Sequence, residues 1–336
     1  MGVSLINKGN MIKSATVELN TECNNSCVWC YNESKRNQTS ILSESLFETI
    51  LSHLLEEGCE VLLFTGGEPT LHPQLPLFIK KSVDVGIKRV FVVTNGKCIP
   101  SDFFDTLSDY SSAVCVNVSI HGAESAIHDK IVQSDGSFDL LLHNILNYQK
   151  NKFVVNAQIT LCKENQTNLV STLFLLAEFN VKNVLINFCQ KPIGTKIYYN
   201  GFLSINEFCE SVSDAVEKAP DDMNIEIGPY IPSCVFPEKI RSLIQEKKIS
   251  MNYGCGVVGK ELIFDPTGNI LLCPHLPDIK TGNVLTIENM SSFLSELNCK
   301  TSAVRKYPKE ECNKCTLIET CYRGGCPVLW ATGVIK

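Results

Sequence analysis

Seventeen of the 336 residues are cysteine, and many of these lie in two clusters. The first cluster is Cys23, Cys27 and Cys30, in which the thiols are separated by three and two residues. A loop this short can wrap three thiolates around one metal centre. Structural zinc usually takes four protein ligands, and the 20 residues after Cys30 contain no Cys or His. Three thiolates on a four-iron cluster would leave one iron open to bind another molecule.

The second cluster lies near the carboxyl terminus and starts with Cys255 and Cys273, which flank a turn sequence. Its four remaining cysteines have gaps of two, five and four residues: Cys312, Cys315, Cys321 and Cys326. These four alone fit a structural zinc site and an iron–sulfur site about equally well. Little apolar periodicity surrounds them, so we expect a metal centre rather than a hydrophobic core to organise this region.

Composition excludes several classes of protein. Apolar residues make up 44% and charged residues 20%, which is typical of a folded chain of about two domains. The net charge is −6 and no long basic run occurs, so we expect no nucleic-acid partner. We also expect no membrane partner and no secretory signal, and hence a cytoplasmic protein. The odd cysteine count and the chain length argue against a disulfide scaffold.

The elements that must position these cysteines alternate regularly between strands and helices. Six segments rich in β-branched and aromatic residues predict buried strands: 15–20, 60–65, 88–94, 114–120, 153–160 and 183–188. Helical patterns lie between and after them: 43–57, 75–85, 102–109, 137–150, 167–179 and 205–218. Six strand–helix units predict a parallel α/β sheet with outer helices, either barrel-like or doubly wound.

The alternation stops after about residue 220. Residues 258–273 predict a β-hairpin around the turn from Asp265 to Gly268, and a helix is expected at 287–298. We therefore predict two domains, 12–230 with the strand–helix units and 231–336 with the hairpin and the second cysteine cluster.

The first cluster resembles the motif of the radical S-adenosylmethionine (radical SAM) superfamily, including the aromatic Trp29 before the third cysteine. The resemblance covers about residues 14–200 and implies a partial (β/α)6 TIM-like barrel. It also implies residues that bind S-adenosylmethionine (SAM). In the family, the segment after the second strand binds the methionine amino group, and polar residues after later strands contact the ribose or the carboxylate. These positions here are Gly66, Gly67, Glu68, Pro69, Asn95 and Ser119.

The resemblance implies a specific chemistry. A [4Fe-4S] cluster on Cys23, Cys27 and Cys30 would cleave SAM reductively to a 5′-deoxyadenosyl radical, which abstracts hydrogen from an unactivated carbon. An electron donor such as flavodoxin or ferredoxin would be a partner.

The second cluster resembles the SPASM domain, a small extension with a β-hairpin that carries auxiliary [4Fe-4S] clusters. By this resemblance one auxiliary cluster would use Cys255, Cys273, Cys326 and an upstream cysteine, for which Cys234 is the candidate. The other would use Cys312, Cys315, Cys321 and a further residue. Two departures from the pattern stand out: the gap before Cys326 is one residue longer than usual, and no cysteine follows it.

A one-cluster variant, the twitch domain, is an alternative reading of the same region. It would need only four of these ligands: Cys255, Cys273, Cys312 and Cys315. One or two auxiliary clusters are therefore expected. In the two-cluster reading, the auxiliary cluster on Cys312, Cys315 and Cys321 would have an open iron or a ligand other than cysteine, or would not form.

Family resemblance favours an oxidoreductase that matures a ribosomal peptide by crosslinking, oxidation or epimerisation. Cys162 and Cys189 follow the fifth and sixth strands, so either could return a hydrogen atom to a substrate radical, as in radical SAM epimerases. Many peptide-modifying members carry an N-terminal leader-binding domain. Here the first cluster begins at Cys23, so we expect the barrel mouth or a separate chain to recognise a peptide.

Two rival readings remain open. One is a small-molecule radical SAM dehydrogenase or decarboxylase in antibiotic or cofactor biosynthesis. The other, of a different class, is a non-catalytic metal-binding protein, which predicts no SAM cleavage in the presence of a reductant.

Overall fold

A computed structural model describes most of the chain: residues 12–33, 39–191, 198–228, 231–246, 249–251, 261–276, 279–302, 314, 326 and 328–329. Four predicted metal ligands lie outside the described residues: Cys255, Cys312, Cys315 and Cys321. Of the metal ligands predicted in the second domain, the structure describes Cys234, Cys273 and Cys326.

Eleven strands and nine α-helices are present in the described residues. The strands, in chain order, are β1 Ser14–Glu18, β2 Val61–Thr65, β3 Arg89–Thr94, β4 Val114–Ser119, β5 Val154–Leu161, β6 Asn183–Phe188, β7 Asn224–Gly228, β8 Ile249–Met251, β9 Glu261–Phe264, β10 Asn269–Leu271 and β11 Lys280–Asn283. The helices are α1 Glu44–Glu56, α2 Leu75–Asp84, α3 Phe103–Leu107, α4 Ser125–Val132, α5 Ser137–Lys150, α6 Leu169–Glu178, α7 Ile205–Lys218, α8 Glu238–Gln245 and α9 Met290–Ser302.

All eleven strands belong to one sheet in the order β11-β10-β9-β1-β2-β3-β4-β5-β6-β7-β8. Neighbours from β9 through β1 to β8 pair in parallel, whereas β9, β10 and β11 form antiparallel pairs. The sheet is open, with β11 and β8 at its edges. This confirms the expected α/β class and a partial, TIM-like barrel, and it excludes the doubly wound alternative.

Burial alternates along the parallel strands, which explains how the sheet is covered. In β2, Leu62 and Phe64 are fully buried, whereas Val61, Leu63 and Thr65 are only half-buried. The buried set packs against helices such as α1, where Phe47 stacks on Phe78 of α2 at 4.3 Å between ring centroids. The half-buried set faces the inside of the barrel. Each strand therefore presents alternate side chains to the lumen, where a ligand can be held.

The sheet extends beyond the six predicted strands. β7 and β8 continue it on one side, and on the other side β9 pairs in parallel with β1, with Ala15 opposite Leu262. The hairpin of β9 and β10 turns at Asp265–Gly268 as expected, and Gly268 has φ +79°. The hairpin thus continues the barrel sheet directly instead of standing apart from it.

A ladder of asparagines crosses the lower lumen on four adjacent parallel strands. Each side-chain amide donates to the next: Asn156 to Asn117, Asn183 to Asn156, and Asn224 to Asn183, at 2.9–3.0 Å. These residues line a cavity of about 680 Å³ that shares Gln158 with the cavity at the barrel mouth. The lumen therefore combines this row of asparagines with apolar side chains such as Leu63 and Phe91.

Across the described part of the chain, every helix is too short or too polar to cross a membrane.

Candidate active site

The three clustered cysteines lie on the loop that follows β1. Backbone hydrogen bonds hold this loop to the end of α4: the Ser26 amide donates to Val132 O at 2.9 Å, and the Val28 amide donates to Ile131 O at 3.1 Å. All three cysteines are partly exposed and line one cavity of about 360 Å³ at the carboxyl ends of the strands. Parallel α/β folds place ligands at this end of the sheet.

Gly66 and Gly67 line the same cavity and contact the backbone that leads into the cysteine loop. The Gly67 amide donates to Asn20 O at 2.7 Å, and the Glu68 amide donates to Glu22 O at 2.7 Å. A Cβ atom on Gly67 would lie 1.9 Å from Glu22 O, and one on Gly66, where φ is +143°, would lie 2.5 Å from Asn20 O. The two glycines are thus required for the close contact between their own loop and the backbone that leads into the cysteine loop. This holds whether or not they also contact a ligand.

Glu68 ties the end of β2 to the end of β3. Its carboxylate accepts hydrogen bonds from the Thr70 amide at 3.1 Å, Thr70 Oγ1 at 2.7 Å, Thr94 Oγ1 at 2.6 Å and the Asn95 amide at 2.8 Å. Burial raises the pKa of Glu68, and these four hydrogen bonds oppose the rise. The carboxylate therefore organises the loops around the cavity.

The remaining residues predicted to bind SAM surround this centre, with one exception. Trp29, Asn95 and Ser119 line the cavity, and Asn95 Nδ2 donates to Asn24 Oδ1 at 2.7 Å. Pro69 is buried at the start of a 3-10 turn, Pro69–Leu71, and is absent from the described cavity wall. Its contribution is to the turn.

His121 contributes a neutral ring to the wall. Its Nδ1 accepts a hydrogen bond from the Thr160 amide at 3.3 Å. Its ring centroid lies 5.1 Å from that of Trp29, in an edge-to-face arrangement. Burial lowers the pKa of His121 to about 3. The imidazole is therefore uncharged at neutral pH, and its proton lies on Nε2.

Several cavity residues were not predicted as ligand contacts from the sequence. The period of two along β5 places Gln158 and Thr160 on the lumen side, and the same period in β6 points to Asn187. Asn25 and Asn32, on the cysteine loop, carry no such signal because loop residues have no fixed period.

Cys189 and Cys162 occupy different positions relative to the cavity. Both are buried in an apolar cluster with Ile131 and Val132, next to Cys27 and Trp29. Only Cys189 of the two lines the described cavity. Burial raises the pKa of Cys162 to about 12 and raises that of Cys189 well above its usual value, so both thiols keep their hydrogen at neutral pH. The structure thus distinguishes two candidates that sequence could not separate.

Two described cysteines of the second cluster approach this cavity. Cys326 is buried, and its thiol donates to Gln190 Oε1 at 3.9 Å; Gln190 in turn lines the cavity. Cys273 is half-buried near Tyr31, whose pKa is raised by burial, then by Glu18, Cys30 and Cys273. Cys234, the candidate upstream ligand, is exposed.

The donor set fits a cluster better than a single ion. Among the described residues, no three His, Cys, Asp or Glu side chains converge as ligands of one metal ion. A four-iron cluster binds each thiolate through a different iron, so its ligands need not converge on one point. Three partly exposed thiols of one loop, facing a cavity walled by backbone and amide groups, fit a [4Fe-4S] cluster with one iron open to SAM.

Comparison with known proteins gives an independent result. Residues 17–176 match the model of the radical SAM superfamily. The antilisterial bacteriocin subtilosin biosynthesis protein AlbA of Bacillus subtilis is 24% identical over 320 residues, which cover 93% of this chain and 66% of AlbA, just under two thirds of its length. A probable GTP 3′,8-cyclase of Sulfurisphaera tokodaii is 28% identical over 229 residues, 67% of this chain and 70% of that protein.

Two solved structures share the fold over nearly the whole chain. Streptococcus suis SuiB bound to its precursor peptide SuiA superposes with a TM-score of 0.71 at 15% identity, covering 96% of this chain and 73% of SuiB. The structure of anSMEcpe with bound AdoMet and the Cp18Cys peptide gives a TM-score of 0.69 at 17% identity, covering 93% of this chain and 88% of that one.

Proposed function

Because the chain carries a domain of the radical SAM superfamily, we propose that it is an enzyme that modifies a peptide by SAM-dependent radical chemistry. The observation that carries the proposal is one cavity in which the cysteine loop, the two glycines and polar strand ends meet. For the peptide substrate, the support is the relationship to AlbA, a bacteriocin biosynthesis protein, and the fold shared with the peptide-bound SuiB and anSMEcpe.

When bound, the [4Fe-4S] cluster and SAM would supply a 5′-deoxyadenosyl radical able to remove hydrogen from carbon. Cys23, Cys27 and Cys30 would hold the cluster. Backbone groups at Gly66 and Gly67, with Asn95 and Ser119, would hold SAM beside it. Glu68 would hold the loops after β2 and β3 in position. Trp29 would cover one side of the cluster and exclude water.

The wall formed by the end of β6 would face the substrate. Cys189 and Gln190 follow this strand and line the cavity, and Gln190 contacts Cys326. The substrate would therefore lie between SAM and the second cysteine cluster. That cluster would hold one or two auxiliary [4Fe-4S] centres able to accept an electron from the product radical, and flavodoxin or ferredoxin would reduce the enzyme.

Cys189 is the stronger of the two thiol candidates for returning a hydrogen atom to a substrate radical. The S–H bond would break as a C–H bond forms, and one electron and one proton would restore the thiol. In such a reaction the auxiliary centre, reduced by flavodoxin or ferredoxin, would supply the electron, and solvent would supply the proton. We place the protein in the cytoplasm, because that compartment keeps thiols reduced and available as cluster ligands.

A small-molecule substrate is the second candidate function. It is favoured by the similarity to a probable GTP 3′,8-cyclase. The asparagines that line the lumen on four strands would suit a small polar ligand.

Co-expression distinguishes these two substrates. The enzyme would be produced with each short peptide encoded beside its gene, and the peptides analysed by mass spectrometry. The proposal predicts a mass change, such as the loss of two hydrogens for a crosslink, or a D-residue after hydrolysis. The C23A/C27A/C30A variant should give unmodified peptide. Unmodified peptides from the wild type, together with turnover of GTP by the purified enzyme, would favour the small-molecule function.

A further inference from the structure

Asn25 lies between Cys23 and Cys27, and its whole carboxamide is buried without a hydrogen-bond partner. The residue is 3% exposed and lines the cavity at the barrel mouth. Neither its Oδ1 nor its Nδ2 has a partner among the described residues, although its backbone amide donates to Cys23 Sγ at 3.5 Å. Buried carboxamides are almost always paired, so an unpaired one beside a cavity indicates a missing ligand.

Asn32 lies two residues after Cys30 and shows half of the same pattern. Its Nδ2 donates to Gly66 O at 3.3 Å, which identifies the other atom of the amide as oxygen. This Oδ1 is buried without a partner, and the residue is 3% exposed and lines the same cavity. Asn32 thus presents a pure acceptor beside Gly66.

The chemistry of these groups selects the ligand. An iron–sulfur cluster carries no hydrogen, so it could accept from Asn25 Nδ2 but could donate to neither Oδ1. SAM carries both kinds of group, because its ammonium, adenine amine and ribose hydroxyls donate while its carboxylate and adenine nitrogens accept. SAM alone of the two cofactors can satisfy all three unpaired atoms.

We propose that Asn25 and Asn32 bind SAM directly, Asn25 through both carboxamide atoms and Asn32 through Oδ1. This rests on the proposed use of SAM in this cavity. The unpaired atoms are buried beside the cavity, so pairing with SAM requires a rotation of the two side chains. The hydrogen bonds gained would offset the cost of that rotation.

The test uses the full-length, anaerobically reconstituted and oxidised enzyme, with SAM as the probe in equilibrium dialysis. The N25L variant replaces the amide by an apolar group of similar size. We expect its Kd for SAM to rise roughly 10-fold or more while iron per chain stays at the wild-type value. We also expect the Tm without SAM to match or exceed that of the wild type, because no unpaired polar group remains buried. A merely structural role for Asn25 would lower that Tm.

N147L is the matched control, because Asn147 is a half-buried asparagine on α5 outside the described cavity wall. Its affinity for SAM should equal that of the wild type. A Kd of N25L within about twofold of the wild type would overturn the proposal. If N25L fails to fold, the N32L variant is tested in the same dialysis assay. A Kd of N32L for SAM equal to that of the wild type would then overturn the proposal. A wild type that holds iron but does not bind SAM would reject the proposed function as well.

Discussion

Thr94 Oγ1 donates a 2.6 Å hydrogen bond to the buried carboxylate of Glu68, and this contact joins the ends of β2 and β3 beneath the cavity. Thr94 Oγ1 also accepts from the Gly96 amide at 3.0 Å, so one hydroxyl organises the whole β3 loop. The arrangement makes Glu68 a structural centre of the site. Because Glu68 lies next to the cysteine loop, a shift of the loops that it holds should weaken SAM binding directly.

Removing the Thr94 hydroxyl should therefore destabilise the protein and weaken SAM binding together. We expect T94V to lower the free energy of unfolding by about 1–3 kcal/mol, because it leaves a buried carboxylate and an amide short of partners. Urea denaturation and equilibrium dialysis with SAM would measure the two effects. T94S keeps the hydroxyl and should remain close to the wild type. Equal stability of T94V and T94S would contradict this role.

Gly67 should tolerate no side chain. We expect G67A to lose iron and SAM binding, because its Cβ would lie 1.9 Å from a backbone oxygen, Glu22 O, that cannot move independently of the cysteine loop. G86A is the control: Gly86 has a positive φ of +110°, which Gly67 does not have, but the Cβ in G86A would meet no atom within 4 Å. Iron content after reconstitution and the Tm report the difference. Wild-type iron content in G67A would show that the two backbone segments separate easily.

The asparagine ladder should behave as a connected unit. N156L removes the middle member, so Asn117 Oδ1 and Asn183 Nδ2 both lose their partner. We expect a loss of about 1–3 kcal/mol in the free energy of unfolding, measured by urea denaturation. N151L is the control, since Asn151 is exposed at the end of α5. A ladder in which water readily replaces each amide would show no loss, and that result would contradict a structural role.

Acid should destabilise the fold through its buried histidines. Burial lowers the pKa of His128 to about 4, and its Nδ1 accepts from the His121 amide at 3.1 Å. Because the pKa of His128 is lower in the folded chain than in the unfolded chain, the unfolded chain binds the proton at a higher pH. The stability is therefore complete above about pH 6.5 and declines as the pH falls toward 4, by roughly 2–3 kcal/mol.

Replacing this histidine should flatten the decline. H128Q should show a smaller loss of unfolding free energy between pH 7 and pH 4.5 than the wild type, measured by urea denaturation at each pH. H143Q is the control, because His143 is exposed on α5. A slope in H128Q as steep as that of the wild type would assign the acid sensitivity to other groups.

The sequence predicted the barrel well because its strands carry apolar residues on both faces, although only one face is fully buried. The segment 88–94, for example, becomes β3 at Arg89–Thr94, and 183–188 becomes β6 at Asn183–Phe188. Continuous β-branched runs separated by helical patterns identify such strands locally. β8 was not predicted, because a segment of three residues carries little periodicity; α8 was not predicted either, although its residues are amphipathic.

The pairing of β9 with β1 could not be predicted from local sequence. Ala15 and Leu262 are partners in that register, and they lie 247 residues apart in the chain. Likewise, the cysteine spacing and the glycine pair identified the site, but the unpaired amides of Asn25 and Asn32 appear only when the loop is packed. Their significance depends on burial, which is a property of the assembled fold.

The central claim is that Cys23, Cys27 and Cys30 hold one four-iron cluster, and counting iron tests it most directly. The wild type and the C23A/C27A/C30A variant would be reconstituted without oxygen, and iron and sulfide per chain measured. We predict that the variant loses about four irons and retains those of any auxiliary cluster, with about eight or twelve in the wild type marking one or two auxiliary clusters. An iron content unchanged by the triple substitution would contradict the account.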